Sequence, residues 1–256
     1  MGEAHIAWKT AWITGASSGI GLELARLLDG KVTHLAVSAR SQDKLSKLAA
    51  QCKNVVSYPL DVTDADAVVD SVGDIEAAAG PIDLAVLNAG VWQLMDVAEL
   101  DLKAIRTGIE VNYMGVVHAI NALLPGMLAR GAGQIAIVAS VAGYRGLPRS
   151  AAYGPTKAAL INLAETLRTE LAPRGITVSV VNPGFVDTPM TRDNPFPMPN
   201  IISAKDAAQS LLAGLERRKY EIIFPRAFVF AMKLLRLLPN AMYFWVARTF
   251  LSKRSA

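Results

Sequence analysis

Short, uninterrupted apolar runs alternate along this chain with longer segments in which apolar side chains recur every third or fourth position. The runs are TAWIT (10–14), THLAVSA (33–39), NVVSYPL (54–60), DLAVLNA (83–89), GQIAIVAS (133–140) and ITVSVVN (176–182). They are rich in Val and Ile and lack the polar alternation of a strand with one wet face. That pattern predicts strands buried on both sides. Helical spacing extends over 18–29, 41–52, 100–130 and 151–172, with a further helix after Thr63. Thr63 stands at a cap position with Asp66 three residues on, as in a capping box, and Ser203 with Asp206 marks one more helix start. Such repetition predicts a doubly wound α/β fold, a parallel sheet with helices on both faces, in a single domain. GFVDTPMTRDNPFPMPN (184–200) carries four prolines and is expected to be irregular.

Composition narrows the picture. Of 256 residues 52% are hydrophobic and 19% charged, enough to bury a sizeable core. The single cysteine, Cys52, excludes an internal disulfide framework and suits a reducing, cytoplasmic compartment. It forms no metal-ligand spacing with His5, His34 and His118, so no metal is expected. The first strand follows Met1 too soon for a signal peptide, and Ile6 stands where myristoylation at Gly2 would want Ser or Thr. No uncharged apolar run reaches about 18 residues, so no membrane span is expected. The net charge of +4 is uneven. Residues 217–256 hold nine Lys/Arg and one acid, Glu221, whereas the rest holds 17 basic and 21 acidic residues. A nucleic-acid partner would call for a basic stripe across the fold, and none is expected.

In a sheet of this kind ligands gather beyond the carboxyl ends of the strands. The first strand ends in TGASSGIG (14–21). Gly15 permits a tight turn, Gly19 lets backbone approach a pyrophosphate, and Gly21 brings helix close to sheet. Ser17, Ser18 and Ile20 fill the positions between, and amides at the helix start would face a phosphate. The second strand ends at Arg40, with no acid between Asp29 and Asp43. A guanidinium there suits a ribose 2′-phosphate, so NADP(H) is expected in preference to NAD(H); the alternative is a surface arginine beside a helix. The third ends in LDV, where Asp61, next to Val62, either accepts from an adenine amino group or caps a helix. The fourth ends in Asn88-Ala89-Gly90, a turn small enough for a cofactor to lie close.

Thr14-Gly15-x-x-x-Gly19-x-Gly21, Asn88-Ala89-Gly90, Asn112, Ser140, Tyr153-x-x-x-Lys157 and Pro183-Gly184 follow one another at familiar intervals. In these motifs, over roughly residues 8 to 225, the chain resembles the short-chain dehydrogenase/reductase family, in its ordinary-length, single-domain branch. One departure is Leu87, where the family often has a second asparagine. The resemblance implies a Rossmann-like fold, a homodimer or homotetramer, and hydride exchange between a nicotinamide cofactor and a carbonyl/alcohol substrate. It also implies that Lys157 holds the nicotinamide ribose, and that Asn112 steadies a water chain leading from that lysine. The Val186 backbone and Thr188 would fix the carboxamide, with helix capping as the alternative for Thr188. The chemistry fits these residue types. A free phenol has a pKa of about 10, and a nearby ammonium favours its phenolate. Tyr153, one helical turn from Lys157, would then shuttle a proton, while Ser140 hydrogen-bonds the substrate oxygen. The small residues around Tyr153 are expected to let cofactor and substrate lie against that helix face. Met190, Phe196 and Met198 are expected in a mobile lid over an apolar substrate.

The chain thus divides into a dinucleotide-binding oxidoreductase domain (1–225) and an apolar, basic helical extension (226–256) packed on it. RAFVFAMKLLRLLP (226–239) places Arg226, Lys233 and Arg236 on one side of a helical wheel, with apolar residues over the remainder. Three readings remain open: peripheral membrane contact through 226–254, a dimer contact or lid, and simple packing on the domain. The expected function is an NADP-dependent oxidoreductase reducing an apolar ketone or aldehyde. Its rivals are an NAD-linked alcohol or steroid-type dehydrogenase and a dinucleotide-binding scaffold without turnover.

Overall fold

The runs expected as strands lie side by side in the computed structural model, which describes residues 8–192 and 194–251. The readings at Gly2, Ile6 and His5, and the last five residues of the basic tail, lie outside the described residues. β1 (Thr10–Thr14), β2 (His34–Ser38), β3 (Val55–Ser57), β4 (Leu84–Leu87), β5 (Gly133–Val138) and β6 (Ile176–Pro183) match the six apolar runs. The pair β7 (Val186–Asp187) and β8 (Ile202–Ser203) brackets the proline-rich loop. A further strand, β9 (Glu221–Phe224), extends the main sheet. Its four residues give too short a run to stand out beside the basic stretch Arg217–Lys219. The seven strands are parallel, in the order β3-β2-β1-β4-β5-β6-β9. Chain direction across the sheet reverses between β1 and β4, where such folds open a crevice beyond the strand ends.

Helices cover both faces. On one side α3 (Ala65–Ala79), α5 (Gly115–Arg130) and α6 (Gly154–Leu171) pack Ile75, Leu123 and Leu160 over Trp12, Leu87, Ile135 and Val178. On the other, α1 (Gly19–Leu28), α2 (Gln42–Gln51) and α7 (Ala204–Glu216) pack Leu24, Leu45 and Leu211 over Ile13, Val37, Val86 and Val181. The Ser203 cap is formed: its hydroxyl accepts from the Asp206 amide at 3.0 Å. The Thr63 cap is not. α3 starts one residue later than the capping-box reading requires, and the Asp64 carboxylate accepts from the Ala67 amide at 3.0 Å. The Thr63 hydroxyl instead donates to Asp61 at 2.8 Å. A carboxylate beside the first turn displaces the weaker hydroxyl cap.

The predicted helix over 100–130 is continuous but not uniform. α4 (Leu102–Gly108) passes through a π-helical turn (Ile109–Met114) into α5. By length and composition Leu102–Arg130 could cross a bilayer, yet Val116, Ala119, Ile120, Leu123 and Met127 are buried in the domain. Beyond β9, α8 (Arg226–Leu237) packs against β9, and α9 (Asn240–Val246) follows it. Glu221 at the head of β9 accepts from the Tyr144 hydroxyl at 2.7 Å and from Asn182 at 3.0 Å, and pairs with Lys233 of α8. Arg145 reaches the α8–α9 junction, donating to the Leu238 carbonyl at 2.9 Å while lying 4.2 Å from the Tyr243 ring centre. Arg236 lies over the Tyr144 ring. The basic residues of the helical wheel thus turn partly toward the domain, since the carboxylate and ring they pair with sit at the sheet edge.

Candidate functional site

The glycine turn after β1 is shaped by what a side chain would strike. Gly15 has a φ of +70°, and a Cβ there would lie 2.8 Å from the Ala89 Cα. At Gly21 it would lie 2.6 Å from the Gly15 carbonyl oxygen, and at Gly19, φ +57°, 3.0 Å from the Thr188 side chain. The Thr14 hydroxyl accepts from the Asn88 and Ala89 amides at 3.0 and 3.1 Å, tying the Asn88-Ala89-Gly90 turn to the end of β1. Asn88 donates back to the Thr14 and Gly15 carbonyls at 3.1 and 3.2 Å. Sequence reasoning gave Thr14 no role beyond the motif, although its hydroxyl holds the two turns in register.

These turns wall a cleft of about 220 Å³. Gly15, Ser17, Ser18, Gly19 and Ile20 line one side, Pro183, Gly184, Val186 and Thr188 another, with Asn88, Gly90, Ser140, Tyr153 and Lys157 between. Gly21 and Ala89 stand behind it, making the close contacts that hold its wall. Thr188 caps no helix. It sits in a knot where the Thr191 hydroxyl donates to the Val186 carbonyl at 2.6 Å and accepts from the Thr188 amide at 3.2 Å. Thr191, which sequence reasoning passed over, lines the cleft as well. A glycine cradle that no Cβ could enter, at the N-terminus of α1, fits an extended dinucleotide with a diphosphate at its middle.

Tyr153 precedes α6 and Lys157 lies one turn inside it. The Lys157 ammonium donates to the Val138 carbonyl at 2.8 Å and stands 5.5 Å from the centre of the Tyr153 ring. Burial pulls the Lys157 ammonium down to about 8 and pushes the Tyr153 phenol up to about 12, with the Ser140 hydroxyl beside it pulling the phenol the other way. The expected phenolate is therefore not favoured in the protein alone, because burial favours the neutral form of both groups. Two nearby glycines are held by close packing. A Cβ on Gly143 would lie 2.7 Å from the Lys157 backbone, and one on Gly154 would lie 3.1 Å from the Ser150 hydroxyl. The Ser140 turn therefore rests directly on α6, with the Ser140 hydroxyl accepting from the Ala142 amide at 3.1 Å.

Asn112 falls in the π-helical turn and is fully buried. Its carboxamide accepts from the Val91 amide at 2.7 Å and donates to the Val91 carbonyl at 3.0 Å and the Thr156 hydroxyl at 3.1 Å. It locks the irregular segment that leaves Gly90. A Cβ on Gly90 would lie 3.2 Å from the Asn112 oxygen and 3.7 Å from the Lys157 nitrogen, so that glycine keeps a gap between the two.

The cleft shares Ser140, Tyr153, Gly184, Met190 and Thr191 with an apolar cavity of about 260 Å³. A relay of aromatic rings walls it: Trp92 to Phe196 with centres 6.4 Å apart, Phe196 to Phe185 at 6.0 Å, and Phe185 to Phe228 at 5.2 Å. Phe228 and Met232 come from α8. Of the expected lid residues Met190 and Phe196 line the cavity, whereas Met198 accepts from the Asn194 amide instead. Trp92, Phe185 and Phe228 carried no signal in sequence, because a pocket assembled from four distant segments has no periodicity.

A third space, a shallow groove of about 790 Å³, opens beyond β2 and β3. Arg40, Asp61, Thr63, Lys103, Arg106 and Glu110 line it. Asp61 forms a turn, accepting from the Thr63 amide at 3.0 Å. Val62 does not face the groove. Its side chain fills the space left by Gly115, where a Cβ would lie 2.6 Å away, and its carbonyl accepts from His118 at 3.0 Å.

Comparison with known proteins agrees with this architecture. The family described as short chain dehydrogenase matches residues 9–196. An uncharacterized oxidoreductase of Myxococcus xanthus is 36% identical over 249 residues, 96% of this chain and 98% of the relative. A short chain dehydrogenase/reductase of Burkholderia phymatum, solved in complex with NAD, superposes with a TM-score of 0.82 at 25% identity, over 90% of this chain and 93% of that one. An alcohol dehydrogenase of Thermococcus sibiricus, complexed with 5-hydroxy-NADP, gives 0.76 at 29% identity, over 84% and 95%.

Proposed function

This chain belongs to the short-chain dehydrogenase family and is an oxidoreductase that works with a nicotinamide cofactor, and from that premise we propose that it reduces apolar ketones or aldehydes with NADPH. The observation that carries the reading is the junction of the two spaces: the dinucleotide cleft meets an aromatic-walled cavity at Ser140 and Tyr153. A nicotinamide cofactor held in that cleft would supply the hydride. Gly15 to Gly21 would hold its diphosphate on backbone amides, Lys157 its ribose, and Val186 with Thr188 its carboxamide. Ser140 donates to the carbonyl oxygen as negative charge builds there. Tyr153, whose phenol stays protonated across neutral pH, delivers the proton that completes the alcohol. Asn112 fixes the Val91 backbone and, through it, the Gly90 turn that faces Lys157.

The preference for NADPH rests on Arg40 and the basic side chains Lys103 and Arg106 of the same groove, which suit a 2′-phosphate. The apolar substrate rests on the aromatic lining of the cavity. Tyr153→Phe tests the mechanism, because it removes one oxygen and leaves the ring. Turnover of carbonyl compounds found by NADPH-oxidation screening should fall by about 10²–10⁴-fold, while NADPH binding, followed by fluorescence, stays near wild type. Undiminished turnover would sink the proton-donor role.

A further inference from the structure

α8 carries two apolar faces. Val229 and Met232 are buried against the domain, and Phe228 and Met232 border the cavity. A second stripe runs along the outer side, where Phe230, Leu234 and Leu237 recur at helical spacing. α9 continues it with Met242, Phe244 and Trp245, and all six side chains are more than half exposed. From Arg226 to Ala256 the sequence has six Lys/Arg and neither Asp nor Glu. Arg226, Arg236 and Arg248 are exposed.

We propose that this outer face docks on an anionic lipid bilayer, with Phe230, Leu234 and Leu237 entering the headgroup boundary and Arg226, one turn before Phe230, meeting lipid phosphates. The charge pattern selects this occupant. A second copy pairing through the same face would bring two acid-free basic segments together about a twofold axis, with no carboxylate in either to neutralise them. An anionic bilayer offers both an apolar layer and the opposite charge. Docking would also set the outer side of the cavity wall against lipid, so that an apolar compound dissolved there reaches Tyr153 along a short path. That last consequence rests on the oxidoreductase reading; the docking itself does not.

The test is co-sedimentation of the full chain with phosphatidylcholine vesicles, with and without phosphatidylglycerol, in the absence of nucleotide and substrate. The protein should sediment with the anionic vesicles, bind the neutral ones roughly tenfold more weakly, and lose the difference at high salt. The combined variant Phe230→Ser, Leu234→Ser, Leu237→Ser alters only exposed positions and should keep its thermal midpoint and nucleotide binding while staying in the supernatant. Arg226→Glu should weaken binding to anionic vesicles and leave neutral ones unaffected. Wild-type protein that ignores anionic vesicles, or a triple variant that sediments like wild type, overturns the proposal. So does sedimentation velocity without vesicles, if the triple variant dissociates an oligomer that wild type forms. Since no step requires turnover, failure of the oxidoreductase reading leaves each of these outcomes readable.

Discussion

Lys157 and Tyr153 are both driven toward their neutral forms by burial, the ammonium to about 8 and the phenol to about 12. The consequence for pH follows from the signs. Below about 8 the lysine is charged, and above it the charge is lost while the tyrosine is still protonated. Carbonyl reduction should therefore be level at neutral pH and decline through about 8, read as kcat/KM of the free enzyme. A flat profile across that range would remove the lysine charge from the mechanism. Spacing placed these two residues together in sequence, because four positions on a helix is a local relation. The direction of the phenol's shift was not legible, since its burial, which outweighs the opposing hydrogen bond from Ser140, is set by tertiary packing. Arg40 is the other residue-scale test. Arg40→Asp should reverse the preference from NADPH to NADH, measured as the ratio of kcat/KM values, by about tenfold or more if one charged hydrogen bond to phosphate is lost.

Elements carry the next level of argument. β9 and α8 are held by Glu221, whose carboxylate burial would push up but which Lys233, Tyr144 and Asn182 together hold below its ordinary value of 4.5. A folded pKa below the unfolded one contributes stability that is present above the unfolded value and lost as pH falls through the folded one. Glu221→Gln should lower stability at neutral pH by about 1–2 kcal/mol and flatten the acid limb of the stability curve, measured by urea unfolding. Asn112 shows a different limit of sequence reading. Its cost inside a helix was legible, and the helix was there. The π-helical turn that aims it at Val91 was not, because that turn is set by partners across the fold.

At the scale of the whole molecule, α8 closes one side of the cavity. Phe228 leans on the Gly184 turn, where a Cβ would lie 2.6 Å from its ring, and stacks beside Phe185. Phe228→Ala should cost about 1–3 kcal/mol of stability and shift preference toward bulkier ketones, visible as a lower KM for longer substrates with little change in kcat for short ones. α8 is thus part of the cavity's own wall, and removing it would open the site to water.

What the sequence determined by itself was whatever depends on near neighbours along the chain. Six strands, the helices between them, the glycine turn and the Tyr153–Lys157 pair follow from periodicity and from backbone positions that no side chain can occupy, although the edge strand β3 leaves Val56 exposed. Only the tertiary structure decided the seventh strand, the cap at Asp64, the inward turn of Val62, the aromatic relay and the outward face of α8. Each of these depends on contacts between segments far apart in the chain, where burial and competition for hydrogen bonds are settled by packing rather than by local propensity.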